Sequence, residues 1–430
     1  MLIIKLFFFF IFTSAFDDSW CEPPYLDYPM RNDADLVMVQ ILTRHGARTP
    51  LHQSLKYPHV WQCNNTEYFS QSNINIHSPL RVFVSESKSI FLGDCHFGQL
   101  ISKGANALQR LGKHIRWIYV DQMKFLPSRF NPNIIRFRST KTHRTLHSQM
   151  NFILGLYPNM NIEYNSSITI IAPEKSIDPL RHLPAVCTNL KKAVQEVQKS
   201  DEFIQKFSDR KKIWTDVGNV LGVKAKSAPD IVMSARCNYI TDSLPMYNFG
   251  KNHLYSSFNL DNSDITNSST SIINEDVLDS ASLLKAEQQK YIFMHPKVFP
   301  LKFSFAIAEM ANLMIDRING NSKIRFIHWS AHDGDIFGFL GYLGTGSDKL
   351  PPYGSYIITE LWKFRHSGEF FLRFIYNGKV LRVPRLGNIK NVLFDDFLRF
   401  VKVNMPSLKV DCGFSHEKFK NAWTFQPEEH

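Results

Sequence analysis

Residues 36–50 read Leu36-Val37-Met38-Val39-Gln40-Ile41-Leu42-Thr43-Arg44-His45-Gly46-Ala47-Arg48-Thr49-Pro50. The run up to Leu42 is apolar except for Gln40, which suits a strand buried on both faces of a parallel sheet. After Thr43 the chain turns cationic at once, so a core strand empties directly into a charged loop. The pattern recurs. A short strand at Ile134–Phe137 runs into Arg138-Ser139-Thr140, with Arg144 just beyond. Lys323–Trp329 alternates like a strand and ends at Ser330-Ala331-His332-Asp333. Helical patterns accompany these strands. Leu108, Leu111, Ile115 and Ile118 mark an amphipathic helix within 98–120. Ser139 or Thr140 is placed to cap a helix carrying Leu146, Met150 and Ile153 on one face. Residues 301–318 read as a helix stopped by Asn319-Gly320. Strands and helices alternating at both ends of the chain predict an α/β core. The middle, 165–300, lacks a comparable buried strand and reads as a helical insertion. Residues 258–275, dense in Asn, Ser, Asp and Thr, read as a surface loop.

The chain has 430 residues, 44% apolar and 21% charged, enough to bury a sizeable core and too apolar for wholesale disorder. Lys plus Arg is 50 against 39 for Asp plus Glu, a net +11 that suits anionic partners. No block of five like charges forms a nucleic-acid arm, so no nucleic acid is expected. Residues 1–15, MLIIKLFFFFIFTSA, have the outline of a secretory signal peptide, too short to span a bilayer, which needs about 20 residues. No second apolar run of that length follows, so no transmembrane segment is expected after cleavage. Six cysteines (Cys21, Cys63, Cys95, Cys187, Cys237 and Cys412) without a CxxC pair favour disulfides over zinc. Sequons at Asn64, Asn165 and Asn267 fit a glycoprotein of the secretory pathway, secreted or lysosomal-type.

In an open α/β sheet, ligands bind at the C-terminal ends of the strands, where all three polar clusters would meet. Arg44, Arg48 and Arg144 supply three guanidinium forks of the kind a phosphate dianion wants. Taken singly, Arg48 reads as a surface ion pair, His45 as a structural imidazole and His332-Asp333 as a strand-end turn. Together they read differently. Arginines on either side of His45 disfavour a third positive charge, leaving the ring free to attack phosphorus. Gly46 is expected to leave room for substrate, His332 to donate to a phosphate oxygen, and Asp333 to protonate the leaving alcohol. Gly344-Thr345-Gly346 reads as a turn, not a nucleotide loop. No cluster has metal-ligand spacing, and neither a metal nor another cofactor is expected.

Arg44-His45-Gly46-Ala47-Arg48-Thr49-Pro50 resembles the RHGxRxP signature of the histidine acid phosphatases, the branch-two histidine phosphatases. Gly98-Gln99-Leu100 with Gly104 and Leu111-Gly112, Arg138-Ser139-Thr140 with Arg144-Thr145, Leu183-Pro184 with Cys187, and Ser330-Ala331-His332-Asp333 resemble its other motifs, in the family's order. The resemblance runs from about residue 35 to Cys412. It implies a mixed α/β sheet with helices on both faces: a core at 16–164 and 301–412, a helical cap at 165–300 and a tail at 413–430. It implies an acid phosphatase working through phosphohistidine at His45, with Arg44, Arg48, Arg144 and His332 holding the phosphate and Asp333 donating the proton. The family's bridge would join Cys187 to Cys412. Proximity suggests Cys63 with Cys95, leaving Cys21 with Cys237. A homodimer is compatible with the chain.

Gly334 and Asp335 stand where the family usually has small hydroxyl residues, and Ile101 and Ser102 also depart from its pattern. Asp335 is expected to raise the proton affinity of Asp333 or to repel the phosphate. Narrower alternatives are a lysophosphatidic-acid-type or 2-phosphoxylose-type phosphatase; Ala47 and Phe130-Asn131-Pro132 look similar to the lipid-phosphate branch. A phytase ranks below these. The non-enzymatic alternative, a phosphate-binding glycoprotein on a decayed scaffold, is opposed by the presence of both His45 and Asp333.

Overall fold

The computed structural model describes residues 21–25, 28–52, 61, 63, 95–158, 168–175, 178–180, 187–237, 275–407 and 410–413. The signal-peptide outline, the three sequons, Leu183-Pro184 and nearly all of the expected loop and tail lie outside them.

The opening stretch forms β1 (Ala34–Arg44), at the centre of a mixed sheet. On one side β1 pairs in parallel with β4 (Phe326–Ala331). Strand β4 pairs in parallel with β2 (Ile135–Ser139), and β2 with the short β3 (Ile170–Ile171). On the other side β1 pairs antiparallel with β5 (Tyr356–Phe364) and β5 with β6 (Phe370–Tyr376). Strands β7 (Lys379–Val380) and β8 (Asn391–Leu393) both pair with β6. The register aligns the ends of the three strands that carry the polar clusters: Arg44 lies opposite Ala331, and Ser139 opposite Ser330.

Successive residues of β1 face opposite sides, as the pleat requires. Met38 and Leu42, with Ile327 and Trp329 of β4, pack in one apolar layer. That layer includes residues of α7 (Phe299–Ile318), α8 (Asp333–Leu343) and α9 (Phe394–Val403). Val39 and Ile41, with Phe137 and Phe326, pack against α1 (Ser102–Arg116) and α2 (His143–Leu156). The mixed sheet with helices on both faces is therefore as expected. Strand β4 differs from its reading in one respect. It is buried on both faces throughout, and the alternating Lys323 and Arg325 precede it.

Between β3 and α7 the described residues form helices α3 (Asn189–Gln198), α4 (Asp201–Leu221), α5 (Ala228–Arg236) and α6 (Glu275–Met294). Disulfides join Cys21 to Cys237, Cys63 to Cys95 and Cys187 to Cys412. Gly344 closes α8 in the left-handed conformation at φ 81°, so the GxG stretch is a turn. Among the described residues no single helix is long and apolar enough to cross a membrane.

Two local expectations are corrected. The residue before α2 is Thr142, and its side chain makes no cap. Ser139 and Thr140 are committed elsewhere, Ser139 Oγ donating to the Thr140 carbonyl and Thr140 Oγ1 to Thr145 Oγ1. Gly46 serves the protein rather than a substrate. A Cβ there would sit 2.3 Å from the Gly104 carbonyl oxygen, and one on Gly104 would sit 2.2 Å from that of Ala47. The two glycines let the start of α1 touch the loop after β1, where Ile101 N donates to the Ala47 carbonyl.

Gly104→Ala must therefore move backbone against backbone. It is expected to destabilise the protein by about 1–3 kcal/mol, read as a lower urea midpoint. Activity per folded molecule should also fall, because the displaced segment lies between His45 and Arg48. An unchanged midpoint would show that α1 can retreat freely.

Candidate active site

The three strand-end loops bring together all six residues singled out in the sequence. His45, Arg48, Arg144, His332 and Asp333 line one cleft of about 400 Å³. The sixth, Arg44, reaches Asp333, with its Nη2 3.2 Å from Oδ2.

His45 is buried and held at both backbone ends. Its N–H donates to the Ala331 carbonyl of β4, and its carbonyl accepts from Gly354 N. Ring Nδ1 lies 2.9 Å from the Gly46 carbonyl oxygen. A carbonyl only accepts, so Nδ1 carries the proton and the lone pair of the neutral ring is on Nε2. Burial, then Arg144, Arg48, Arg44 and His332, hold the imidazole well below the usual histidine range. The ring therefore stays uncharged in mildly acidic solution, as the flanking arginines implied.

The arginines are fixed differently. Arg44 Nη1 donates to the Pro351 carbonyl at 2.6 Å, and its guanidinium lies 4.0 Å over the Tyr353 ring. Arg48 Nη1 donates to the Thr49 carbonyl at 2.9 Å and its Nη2 to Asp230 at 2.7 Å. Arg144 Nη2 lies 3.3 Å from His332 Nδ1 and has only hydrogens to offer, so that nitrogen accepts. His332 Nε2 then donates to Thr140 Oγ1, 3.0 Å away. For His332 to donate to a phosphate oxygen, the Thr140 bond must be exchanged. Burial, and next the Arg48 charge, lower Arg144 to about 10. In all three arginines the buried Nε–H has no partner among the described residues.

Asp333 is the first residue of α8 and is half-exposed, while Asp335 is fully buried. Asp335 Oδ2 accepts from the His332 backbone N–H at 3.1 Å, and Oδ1 pairs with buried Lys302 of α7 at 2.9 Å. This corrects the expectation for Asp335. It does not line the cleft, and Lys302 balances its charge behind the site. Burial raises its carboxyl to about 6, with Lys302 pulling the other way.

Sequence reasoning missed Asp230, Tyr353 and Lys302. Asp230 and Tyr353 lie far along the chain from the arginines they hold, and no local pattern marks them. Lys302 had a signal. A lone charge in the largely apolar first half of α7 asks for a buried counter-charge.

A family model described as histidine phosphatase superfamily (branch 2) matches residues 35–377. The chain is a branch 2 histidine phosphatase. It is 25% identical over 380 residues to Counting factor 60 of Dictyostelium discoideum, covering 84% of each chain. It is 26% identical over 373 residues to lysophosphatidic acid phosphatase type 6 of Bos taurus, covering 83% of this chain and 80% of that one. Its fold matches the phytase of Klebsiella sp ASR1 with a TM-score of 0.52 at 16% identity, over 87% of this chain and 97% of that one. As a histidine acid phosphatase it is a phosphoric monoester hydrolase, the class its motifs implied.

The site is underpinned by a second neutral imidazole. His328 of β4 is fully buried, bonded to Thr43 at 3.0 Å and Gln149 at 2.6 Å, and stacked on Phe152. Burial lowers it to about 3. An unfolded histidine titrates near 6.5. Between these two values the unfolded chain binds the extra proton, so stability falls as pH falls. From pH 6.5 to 5 this one group should remove about 2 kcal/mol. His328→Gln, unfolded in urea at both pH values, should lose correspondingly less than the parent. Equal losses would mean that His328 is charged in the fold.

Proposed function

We propose that the chain hydrolyses phosphate monoesters through a phosphohistidine formed at His45 Nε2. One observation carries the reading: three guanidinium groups, each with a buried Nε–H that has no partner among the described residues, stand around an uncharged imidazole whose tautomer leaves Nε2 nucleophilic.

In the first half-reaction the Nε2 lone pair forms the N–P bond as the ester P–O bond breaks. Arg44, Arg48 and Arg144 take up the charge on the equatorial oxygens. Asp333 gives its proton to the departing oxygen, so an alcohol leaves instead of an alkoxide. In the second, Asp333 takes a proton from water. The water oxygen then attacks phosphorus, the N–P bond breaks, and inorganic phosphate is released with His45 restored. Asp333 must carry a proton to start the cycle, so turnover should be fastest on the acid side of neutrality. Secretion or a lysosomal-type compartment suits both this optimum and the disulfides.

One feature favours a narrower substrate. Leu51, Phe337 and Leu350 line the cleft beside Lys226 and Lys285. Apolar and cationic walls together suit a phosphate ester with an apolar tail, such as a lysophospholipid. A panel of aryl, sugar, inositol and lysophospholipid phosphates across pH 4–8 ranks the substrates.

His45→Ala should remove essentially all turnover while the fold persists, and activity within tenfold of the parent would overturn its assignment as nucleophile. Asp333→Asn separates the leaving groups. A general acid contributes about 10²–10⁴ in rate, needed for alkyl phosphates and hardly at all for activated aryl phosphates. Single-turnover phosphoenzyme formation should therefore collapse only for the alkyl esters. Equal losses with both would make Asp333 a binding residue.

A further inference from the structure

Two of the three arginines around His45 are paired with carboxylates. Asp333 has work in the reaction. Asp230, which pairs with Arg48 at 2.7 Å, has none, and both of these side chains are largely buried. A carboxylate so close to a dianion's seat opposes the dianion by simple electrostatics. What it supplies in return is position.

The geometry shows how. Asp230 Oδ1 accepts from Arg48 Nη2, and Oδ2 accepts from Leu51 N at 2.6 Å. One carboxylate thus holds the arginine side chain and the far end of its loop. With Nη1 on the Thr49 carbonyl, both terminal nitrogens of Arg48 are fixed, and the Nε–H has no partner among the described residues. The carboxylate is itself firmly seated. It lies in the first turn of α5, where the helix dipole favours a negative charge. The other end of α5 is anchored by the Cys237–Cys21 disulfide. Ser234 of α5 lies 3.4 Å from the hydroxyl of Tyr353, whose ring carries Arg44. Helix α5 therefore touches the surroundings of two of the site's arginines.

We propose that Asp230 is a positioning residue of the phosphate pocket, fixing the Arg48 guanidinium and the 48–51 loop in the geometry that receives the phosphoryl group. This rests on the phosphatase reading above. A guanidinium misplaced by an ångström forfeits much of its contribution. Removing the clamp should therefore weaken phosphate binding even though it removes a repulsive charge.

The test measures inhibition by inorganic phosphate, KM and kcat for an aryl phosphate, and the urea midpoint. The variants are Asp230→Ala, Asp230→Asn, Arg48→Ala and the double variant Asp230→Ala/Arg48→Ala. Asp230→Ala should raise both KM and the phosphate inhibition constant by about tenfold. Asp230→Asn keeps the shape and one acceptor oxygen, and should fall in between with the midpoint of the parent. In the Arg48→Ala background, Asp230→Ala should add less than about a twofold further change, the non-additivity of residues acting through one another. Additive losses would reduce Asp230 to a structural residue and overturn the proposal, as would tighter phosphate binding by Asp230→Asn. A parent that hydrolyses no ester and is not bound by phosphate would instead overturn the functional reading itself.

Discussion

Parallel pairing of β1 with β4, and of β4 with β2, decides where chemistry can occur in this chain. Parallel neighbours cannot be joined by a hairpin, so each needs a long crossover. Helices α1 and α2 lie between β1 and β4 in sequence and cover one face, while α7 runs into β4 and covers the other. The register is pinned because β1 is apolar on both sides, with Met38 and Leu42 packed one way and Val39 and Ile41 the other. A slip of one residue would exchange these sets and carry Gln40 and Thr43 away from their buried partners. With the register fixed, Arg44, Ser139 and Ala331 end their strands at one level. The loops that follow have no choice but to converge.

Convergence creates an electrostatic problem. Two unit charges about 4 Å apart repel by about 4 kcal/mol at the effective dielectric of a protein surface. A typical hydrogen bond returns about 0.5–1.5 kcal/mol net, too little to hold three guanidinium groups together. The structure uses three separate devices. Asp333 and Asp230 compensate Arg44 and Arg48 directly. Arg144 is set beside an imidazole nitrogen that accepts its hydrogen bond. His45 stays neutral. The same arrangement suits both the proposed phosphate seat and the proposed nucleophile, since the field that attracts a dianion also keeps the proton off His45 Nε2.

This explains what could be read from the sequence. β1, β2 and the helix at 299–318 were legible because burial leaves unbroken or periodic apolar runs. The six site residues were legible because each follows a strand end at short range. Gly46 was misread because a missing Cβ says that something approaches closely and not what approaches; the neighbour is Gly104. Asp335 was misread for a related reason. Two carboxylates two residues apart look coupled, yet the first turn of α8 sends Asp333 to the cleft and Asp335 into the core against Lys302.

The residues missed share a physical property. The groups proposed to touch the phosphate start from the aligned strand ends, so their spacing is constrained and forms motifs. Groups that balance charge need only arrive with the right sign at the right depth. Asp230 arrives from α5, Lys302 from α7 and Tyr353 from the turn before β5, each with its own local logic. Any element that packs against the site can supply such a group, so sequence order does not constrain it. The pocket is therefore written in two ways, as short motifs at the strand ends and as dispersed single residues for electrostatic balance. The second is readable only once the packing of the helices is known.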